Sequence, residues 1–122
     1  MNRLIIASFT VALALANSGS AFAHANLASA VPGAGATVQT APTEVSITFT
    51  EEVVPKFSSI QVLDAKGARV DQGAAQAPAD NAKLLSIGLK ALTPGVYKVN
   101  WRATAADDSH KTKGTFIFTY KP

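Results

Sequence analysis

The stretch VYKVNWRA, residues 96–103, carries the clearest structural pattern of this 122-residue chain. Apolar side chains occupy every second position and polar side chains lie between them: Tyr97, Val99, Trp101 and Ala103 on one face, and Lys98, Asn100 and Arg102 on the other. This period of two is typical of a β-strand with one buried and one solvated face. The stretch therefore predicts a strand whose Trp101 face lies in a hydrophobic core.

Further strands are predicted on both sides of this stretch. The alternation is clear in EVSITFT, residues 44–50, and TFIFTY, residues 115–120, and it is weaker in SSIQVLD, residues 58–64, and KLLSIGL, residues 83–89. Turn signals separate these runs, residues 72–82 predict a loop, and no segment of the predicted domain has a helical stripe. Six or seven short strands predict an all-β fold, a single antiparallel Ig-like sandwich, with a small barrel as the alternative.

The first 23 residues resemble a secretory signal peptide. Arg3 precedes an apolar run over residues 4–16, and the small-residue triplet AFA follows at residues 21–23. The apolar run is short for a membrane span, which needs about 20 residues, so a membrane anchor is the weaker alternative. We therefore expect a signal peptide over 1–23, an exported domain over 24–122, and His24 as the first residue of the exported protein. Cleavage after Ala25 is a rival, because Ala23-His24-Ala25 is also small-x-small, and it would remove the histidine.

Composition excludes several functions. The chain has no cysteine, and therefore no thiolate ligand, thiol nucleophile or disulfide. Eleven Lys and Arg stand against eight Asp and Glu in an even scatter, which gives no reason to expect nucleic-acid binding. A phosphate-binding glycine loop and a serine nucleophile motif are both absent from the sequence, so we do not expect an enzyme.

The segment AADDSHKTKG, residues 105–114, is the candidate for chemistry. Asp108 and His110 would share one face if this segment were extended, and His24 would join them if the two ends of the domain met. The terminal amine and imidazole of His24, the His110 imidazole and the Asp108 carboxylate would suit Cu(II) before Zn(II). Without the amine, two histidines and a carboxylate would fit zinc about as well. A solvated surface turn rich in Asp and Ser is the alternative interpretation.

Four pieces of the chain together resemble the CopC family of periplasmic copper-binding proteins, including its YobA-like members. They are HANLASAVPGAGA at 24–36, SITFTEEV at 46–53, LTPGVYKVNWRA at 92–103 and DSHKTKGTFIF at 108–118. The resemblance implies a seven-stranded Greek-key β-sandwich that is exported, is not catalytic and binds one Cu(II) per chain.

The same resemblance implies the metal ligands. They are His24, Asp108 and His110, with Glu51 at an acidic position that lies close to copper in some members of the family. Three departures bear on this set. Asn26 stands where some relatives carry a further histidine. The spacing from Trp101 to His110 is one residue longer than the family pattern, so either Asp107 or Asp108 could be the carboxylate ligand. The only methionine is Met1. A methionine-rich Cu(I) site is therefore not expected.

Three classes of function follow from these residues. The first is a periplasmic carrier or buffer of Cu(II) in copper homeostasis or resistance, expected to be monomeric, with an inner-membrane copper transporter of the CopD type as candidate partner. The second is a structural or interaction module whose metal site is vestigial. The third is an oxidative copper enzyme, which the filled ligand plane disfavours because it leaves no open equatorial position for oxygen.

Overall fold

Seven strands in two sheets form the fold. A computed structural model describes residues 24–122, so the predicted signal peptide lies outside the described residues. The strands are β1 Leu27–Val31, β2 Thr37–Val38, β3 Glu44–Phe49, β4 Ser59–Leu63, β5 Leu84–Gly88, β6 Gly95–Thr104 and β7 Lys111–Tyr120. One sheet has the order β1-β3-β5 and the other β2-β7-β6-β4, with antiparallel pairing except between β2 and β7. The prediction of an all-β, Ig-like Greek-key sandwich is confirmed.

The core lies between the two sheets and consists of the alternating apolar residues of their inner faces. Val45, Ile47 and Phe49 of β3 and Val99 of β6 are almost fully buried. Trp101 is 7% exposed and meets Phe49 edge-on, with 5.3 Å between the ring centroids. The prediction that the Trp101 face of β6 is buried is therefore confirmed.

Strand β7 is longer than its apolar pattern predicts, since it begins at Lys111 and the clear alternation begins only at residue 115. The two inward positions of the added part are Thr112 and Gly114, which are not large apolar residues. A Cβ atom on Gly114 would lie 2.6 Å from Cζ2 of Trp101, so glycine leaves the space that the indole ring fills. The first part of β7 was not predicted because its inward positions lack large apolar residues, and the space beside Gly114 is filled by Trp101 of the neighbouring strand.

Residues 72–82 form the predicted loop, which is anchored at its start by the buried Asp71. Its carboxylate accepts hydrogen bonds from the backbone N–H groups of Val62 and Gly73 at 2.8 and 3.0 Å, and from Arg69 Nη2 at 2.8 Å. Burial alone would raise the pKa of Asp71, but the guanidinium and these N–H groups outweigh it and hold the pKa below its usual value. The connection between β4 and β5 is thus tied to the sandwich by the hydrogen bond from Val62 of β4 to the Asp71 carboxylate.

Strands β6 and β7 pair along their whole lengths, from Gly95 opposite Tyr120 to Thr104 opposite Lys111. The loop 105–110 therefore projects from the end of the sandwich at which β1 begins and β3 ends. Within the part of the chain that the structure describes, no helix is long and apolar enough to cross a membrane.

Candidate metal centre

The segment that carries His24 is fixed by two threonine hydroxyls. Thr50, just after β3, donates from Oγ1 to the His24 carbonyl at 2.9 Å and accepts the Asn26 N–H at 3.0 Å. Thr112 of β7 donates from Oγ1 to the Ala25 carbonyl at 2.7 Å, and Ala25 itself is fully buried. The segment is therefore held against one strand of each sheet, with Ala25 as its apolar anchor.

The loop that carries His110 is a tight turn. The Ala105 N–H donates to the His110 carbonyl at 2.9 Å, the Ser109 N–H donates to the Ala105 carbonyl at 3.1 Å, and Ser109 has a left-handed φ of 61°. Oδ1 of Asp108 accepts the His110 N–H at 2.9 Å. This segment is a turn and not the extended strand that would place both side chains on one face. Asp108 shapes the loop through a side chain to backbone bond of the kind that turns favour.

His24 and His110 lie against each other although they come from opposite ends of the domain. Their ring centroids are 3.8 Å apart, with the planes inclined by 20°. Nδ1 of His24 is buried, whereas His110 is exposed. The sandwich thus brings together the two histidines that the sequence analysis singled out.

Asp108 and Glu51 do not complete a ready cluster with these histidines. Within residues 24–122, no group of three or more His, Asp or Glu side chains is close enough to hold a metal ion. Glu51 lines a cleft of about 190 Å³ whose other lining residues include Lys83 and Asp107. The structure therefore unites two of the four predicted ligands and leaves the carboxylates apart from them.

The two imidazoles could hold one metal ion only after their side chains rearrange. An imidazole binds a metal through the lone pair of a ring nitrogen, which lies in the ring plane. Two stacked rings must therefore turn apart before both can bind the same ion. The exposed loop position of His110 permits that motion, while Thr50 and Thr112 hold the backbone of residues 24–26 in place.

Thr50 and Thr112 were not identified from the sequence as residues of the site. Each looks like an ordinary polar residue of a strand, and only long-range contacts show what its hydroxyl does. The sequence held no signal for Thr112, because this residue lies in the first part of β7, which the apolar pattern did not predict.

Comparisons with known proteins show which family this chain resembles. A family profile described as the CopC domain matches residues 27–121. Protein YobA of Escherichia coli strain K12 is 34% identical over 103 residues, which cover 84% of this chain and 82% of that protein. Copper resistance protein C of Xanthomonas campestris pv. juglandis is 35% identical over 117 residues, which cover 91% of this chain and 90% of that protein.

A third relative is much longer. The copper transport protein CutJ of Bacillus subtilis is 34% identical over 99 residues, which cover 80% of this chain but only 18% of CutJ. The chain therefore spans less than a fifth of that relative.

Two solved structures share the fold. CopC from Methylosinus trichosporium OB3b superposes with a TM-score of 0.76 at 33% identity, covering 81% of this chain and 95% of that one. PcoC from Escherichia coli, described as a methionine-rich copper resistance protein, superposes with a TM-score of 0.68 at 34% identity. That match covers 81% of this chain and 100% of PcoC.

Proposed function

This chain belongs to the CopC family, and from that premise we propose that it is an exported protein that binds one Cu(II) ion per chain and carries or buffers copper in the periplasm. The observation that carries the proposal is the contact between His24 and His110, with ring centroids 3.8 Å apart. The names of relatives, copper resistance protein C and copper transport protein, support the choice of metal.

The proposed ligand set is nitrogen-rich. Removal of residues 1–23 would free the α-amine of His24, whose amine and imidazole would then close a chelate ring on one ion. His110 would add a third nitrogen, and Asp108 would add an oxygen once its carboxylate leaves the loop N–H. Such a set suits a tetragonal Cu(II) ion. Glu51 is proposed as a weak axial or outer group, and Asp107 as the alternative to Asp108, since it lines the same cleft as Glu51.

The oxidation state follows from the ligands that the chain lacks. Cu(I) prefers thiolates and thioethers, and this chain has no cysteine and only one methionine, Met1, in the proposed signal peptide. PcoC, whose fold it shares, is described as methionine-rich. We therefore propose that this protein retains Cu(II) and releases Cu(I).

The same ligand set argues against an enzyme. Three nitrogens and a carboxylate would fill the plane of a Cu(II) ion, which leaves no open equatorial position for oxygen chemistry. A monomeric carrier that exchanges copper with an inner-membrane transporter of the CopD type is the corresponding cellular role. The match to a small part of a much longer copper transport protein supports a link between this domain and transport.

A module with a vestigial metal site is the second candidate function. One observation favours it: Asp108 already accepts a hydrogen bond inside its own loop. Titration of the processed protein with Cu(II), against a competing chelator, distinguishes the two. Saturation at one equivalent with a nitrogen-rich tetragonal spectrum supports the carrier, whereas no retention of copper overturns it. Mass spectrometry of the exported protein establishes whether His24 is its first residue.

A further inference from the structure

The outer face of the four-stranded sheet carries four cations, all on β6 and β7, and no carboxylate. Strands β2, β4, β6 and β7 contain no aspartate or glutamate, and the alternation that turns Trp101 inward turns the basic residues of β6 and β7 outward. These basic residues are all exposed: Lys98, Arg102, Lys111 and Lys113. The carboxylates of the domain lie instead in β3, in the loops and in the turns.

The register of the sheet opposes two of these cations directly. Arg102 of β6 is the cross-strand partner of Lys113 of β7. Like charges at directly opposite positions destabilise a sheet. Among residues 24–122 the one ion pair joins Arg69 and Asp71, so no carboxylate of the described chain neutralises Arg102 or Lys113. Folding alone gives no reason to place two positive charges opposite each other. Departures from such local preferences concentrate at functional sites.

A cleft lies over these two cations. It has a volume of about 430 Å³, its floor includes Arg102, Lys111 and Lys113, and its wall is Phe57, an aromatic side chain that is 64% exposed. We call it the basic cleft. The ammonium group of Lys56 lies 5.7 Å from the centroid of the Phe57 ring and adds a further positive charge at the rim.

The wall of the basic cleft is held firmly against β6. Oγ1 of Thr104 donates to the Phe57 carbonyl at 2.8 Å, and Oγ of Ser58 accepts the Thr104 N–H at 3.0 Å. The 3₁₀ turn Pro55–Phe57 is therefore fixed in place, and its exposed aromatic ring is presented on a stable backbone. A preformed cleft of this kind costs little ordering on binding.

The basic cleft adjoins the histidines. Lys111 follows His110 directly, and Thr112, whose hydroxyl holds the Ala25 carbonyl, also lines the cleft. Two lining residues of the cleft are thus adjacent in sequence, or bonded, to the segments that carry His110 and His24.

We propose that the basic cleft is the docking site for an acidic segment of a partner protein, with carboxylates on Arg102 and Lys113 and an apolar side chain on Phe57. Charge complementarity selects an anionic occupant. The concave shape favours a peptide segment over a bilayer, because interfacial binding relies on a broad face with several large apolar side chains and the lining of the cleft includes only one, Phe57. Single-stranded nucleic acid would need a series of aromatic platforms. The idea that this partner exchanges copper rests on the proposed function. The docking site itself is independent of the proposed function.

The test uses the processed, metal-free protein and a fluorescein-labelled peptide of alternating aspartate and leucine. Its control is the same peptide with asparagine in place of aspartate. Anisotropy at low salt measures binding to wild type, to the double variant Arg102→Gln/Lys113→Gln, to Phe57→Ser, and to the charge-matched variant Lys66→Gln/Lys90→Gln outside the cleft.

We expect the aspartate peptide to bind and the asparagine peptide not to bind. The Arg102→Gln/Lys113→Gln variant should bind about tenfold more weakly, which corresponds to the loss of two charge-assisted contacts. Phe57→Ser should also weaken binding, Lys66→Gln/Lys90→Gln should not, and high salt should reduce wild-type binding toward that of the double variant. Unchanged circular dichroism would exclude unfolding as the cause.

Three results would overturn the proposal. The first is failure of the aspartate peptide to bind. The second is a loss of peptide affinity in the Lys66→Gln/Lys90→Gln variant equal to that in the Arg102→Gln/Lys113→Gln variant. The third is binding of phosphatidylglycerol vesicles or oligothymidine, in place of the peptide, through the cleft residues. Copper affinity, measured separately on the same variants, keeps the two proposals distinct. If the protein binds the peptide but not Cu(II), the proposal of a docking site is retained and that of a copper carrier is rejected. If it binds Cu(II) but not the peptide, only the proposal of a docking site is rejected.

Discussion

The hydrogen bonds around His24 and those around His110 differ in kind. The backbone of residues 24–26 is tied to the sandwich by Thr50 and Thr112, whereas His110 lies in a turn that is closed by its own bonds. One histidine is thus held by tertiary contacts and the other by local ones. The local ones include the bond to Asp108, so the proposed metal binding through Asp108 would compete with the geometry of its own loop.

Substitutions in the turn test the proposed ligands. His110→Ala should weaken Cu(II) binding by more than about 100-fold, because it removes a proposed ligand. Removal of a residue that only supports a ligand typically costs about 10–100-fold in affinity. Lys111→Ala is the matched control and should change affinity little. Asp108→Asn should cost more affinity than Asp107→Asn, measured with the same chelator. The opposite order would identify Asp107 as the carboxylate ligand.

The terminus of the processed chain is a second test at this scale. One glycine inserted before His24 should abolish high-affinity Cu(II) binding while every side chain is retained, because the amine becomes an amide and the chelate ring is lost. A free α-amine has a pKa of about 7.7–8.0, so wild-type affinity should also fall with pH as protons compete with copper. Mass spectrometry must confirm both termini. Equal affinities of the two forms would remove the N-terminal chelate from the proposal.

The hairpin of β6 and β7 is the element that serves both sites. Its inner face carries Trp101 over Gly114, its outer face carries the basic cleft, and its connecting loop carries His110. The period of two separates these tasks, because successive residues of a strand point to opposite sides of the sheet. A change at Gly114 on the inner face therefore leaves the cations of the outer face in place.

Gly114→Ala tests the inner face of this element. The new Cβ would lie 2.6–2.8 Å from three atoms of the Trp101 ring, which is packed against Phe49 and has little room to move. We expect a loss of about 1–3 kcal/mol in the free energy of unfolding, as is typical of overpacking. Gly33→Ala is the control, since its Cβ would meet only the Ala30 carbonyl oxygen, at 3.7 Å. Denaturant unfolding measures both, and equal losses would contradict the role of Trp101.

At the scale of the whole molecule, the connection from β4 in one sheet to β5 in the other is held by the buried carboxylate of Asp71. This carboxylate accepts hydrogen bonds from Val62 of β4, from Arg69 and from Gly73. The chain has no disulfide to constrain it. The stability of the sandwich at low pH therefore depends on this carboxylate remaining charged.

Asp71→Asn should lower the free energy of unfolding at neutral pH by about 2 kcal/mol, because an amide cannot accept all the bonds that the carboxylate accepts. The pKa of Asp71 is lowered in the folded state, so its contribution is present above the unfolded value, 3.8, and is lost as pH falls through the folded pKa. The difference between wild type and variant should therefore shrink below about pH 3.8. Asp80→Asn, at an exposed site, is the control, and a pH-independent difference would contradict the argument.

Local pattern was sufficient for much of this fold. The period of two in β3 to β7 predicted the strands and their buried faces, because a half-buried strand must alternate its side chains whatever lies next to it. It did not single out β1 or β2, whose residues are small or few, nor the first part of β7, where Thr112 and Gly114 replace apolar residues. The two histidines were chosen from their residue type, their positions and the family resemblance.

The tertiary structure alone decided which residues meet. The contact between His24 and His110, the two threonines that fix residues 24–26, and the opposition of Arg102 to Lys113 all depend on strand order and register. Those are properties of pairing between distant segments. An alternating pattern states which face of a strand is buried, but it does not state which strand lies beside it, since many partners bury the same face equally well.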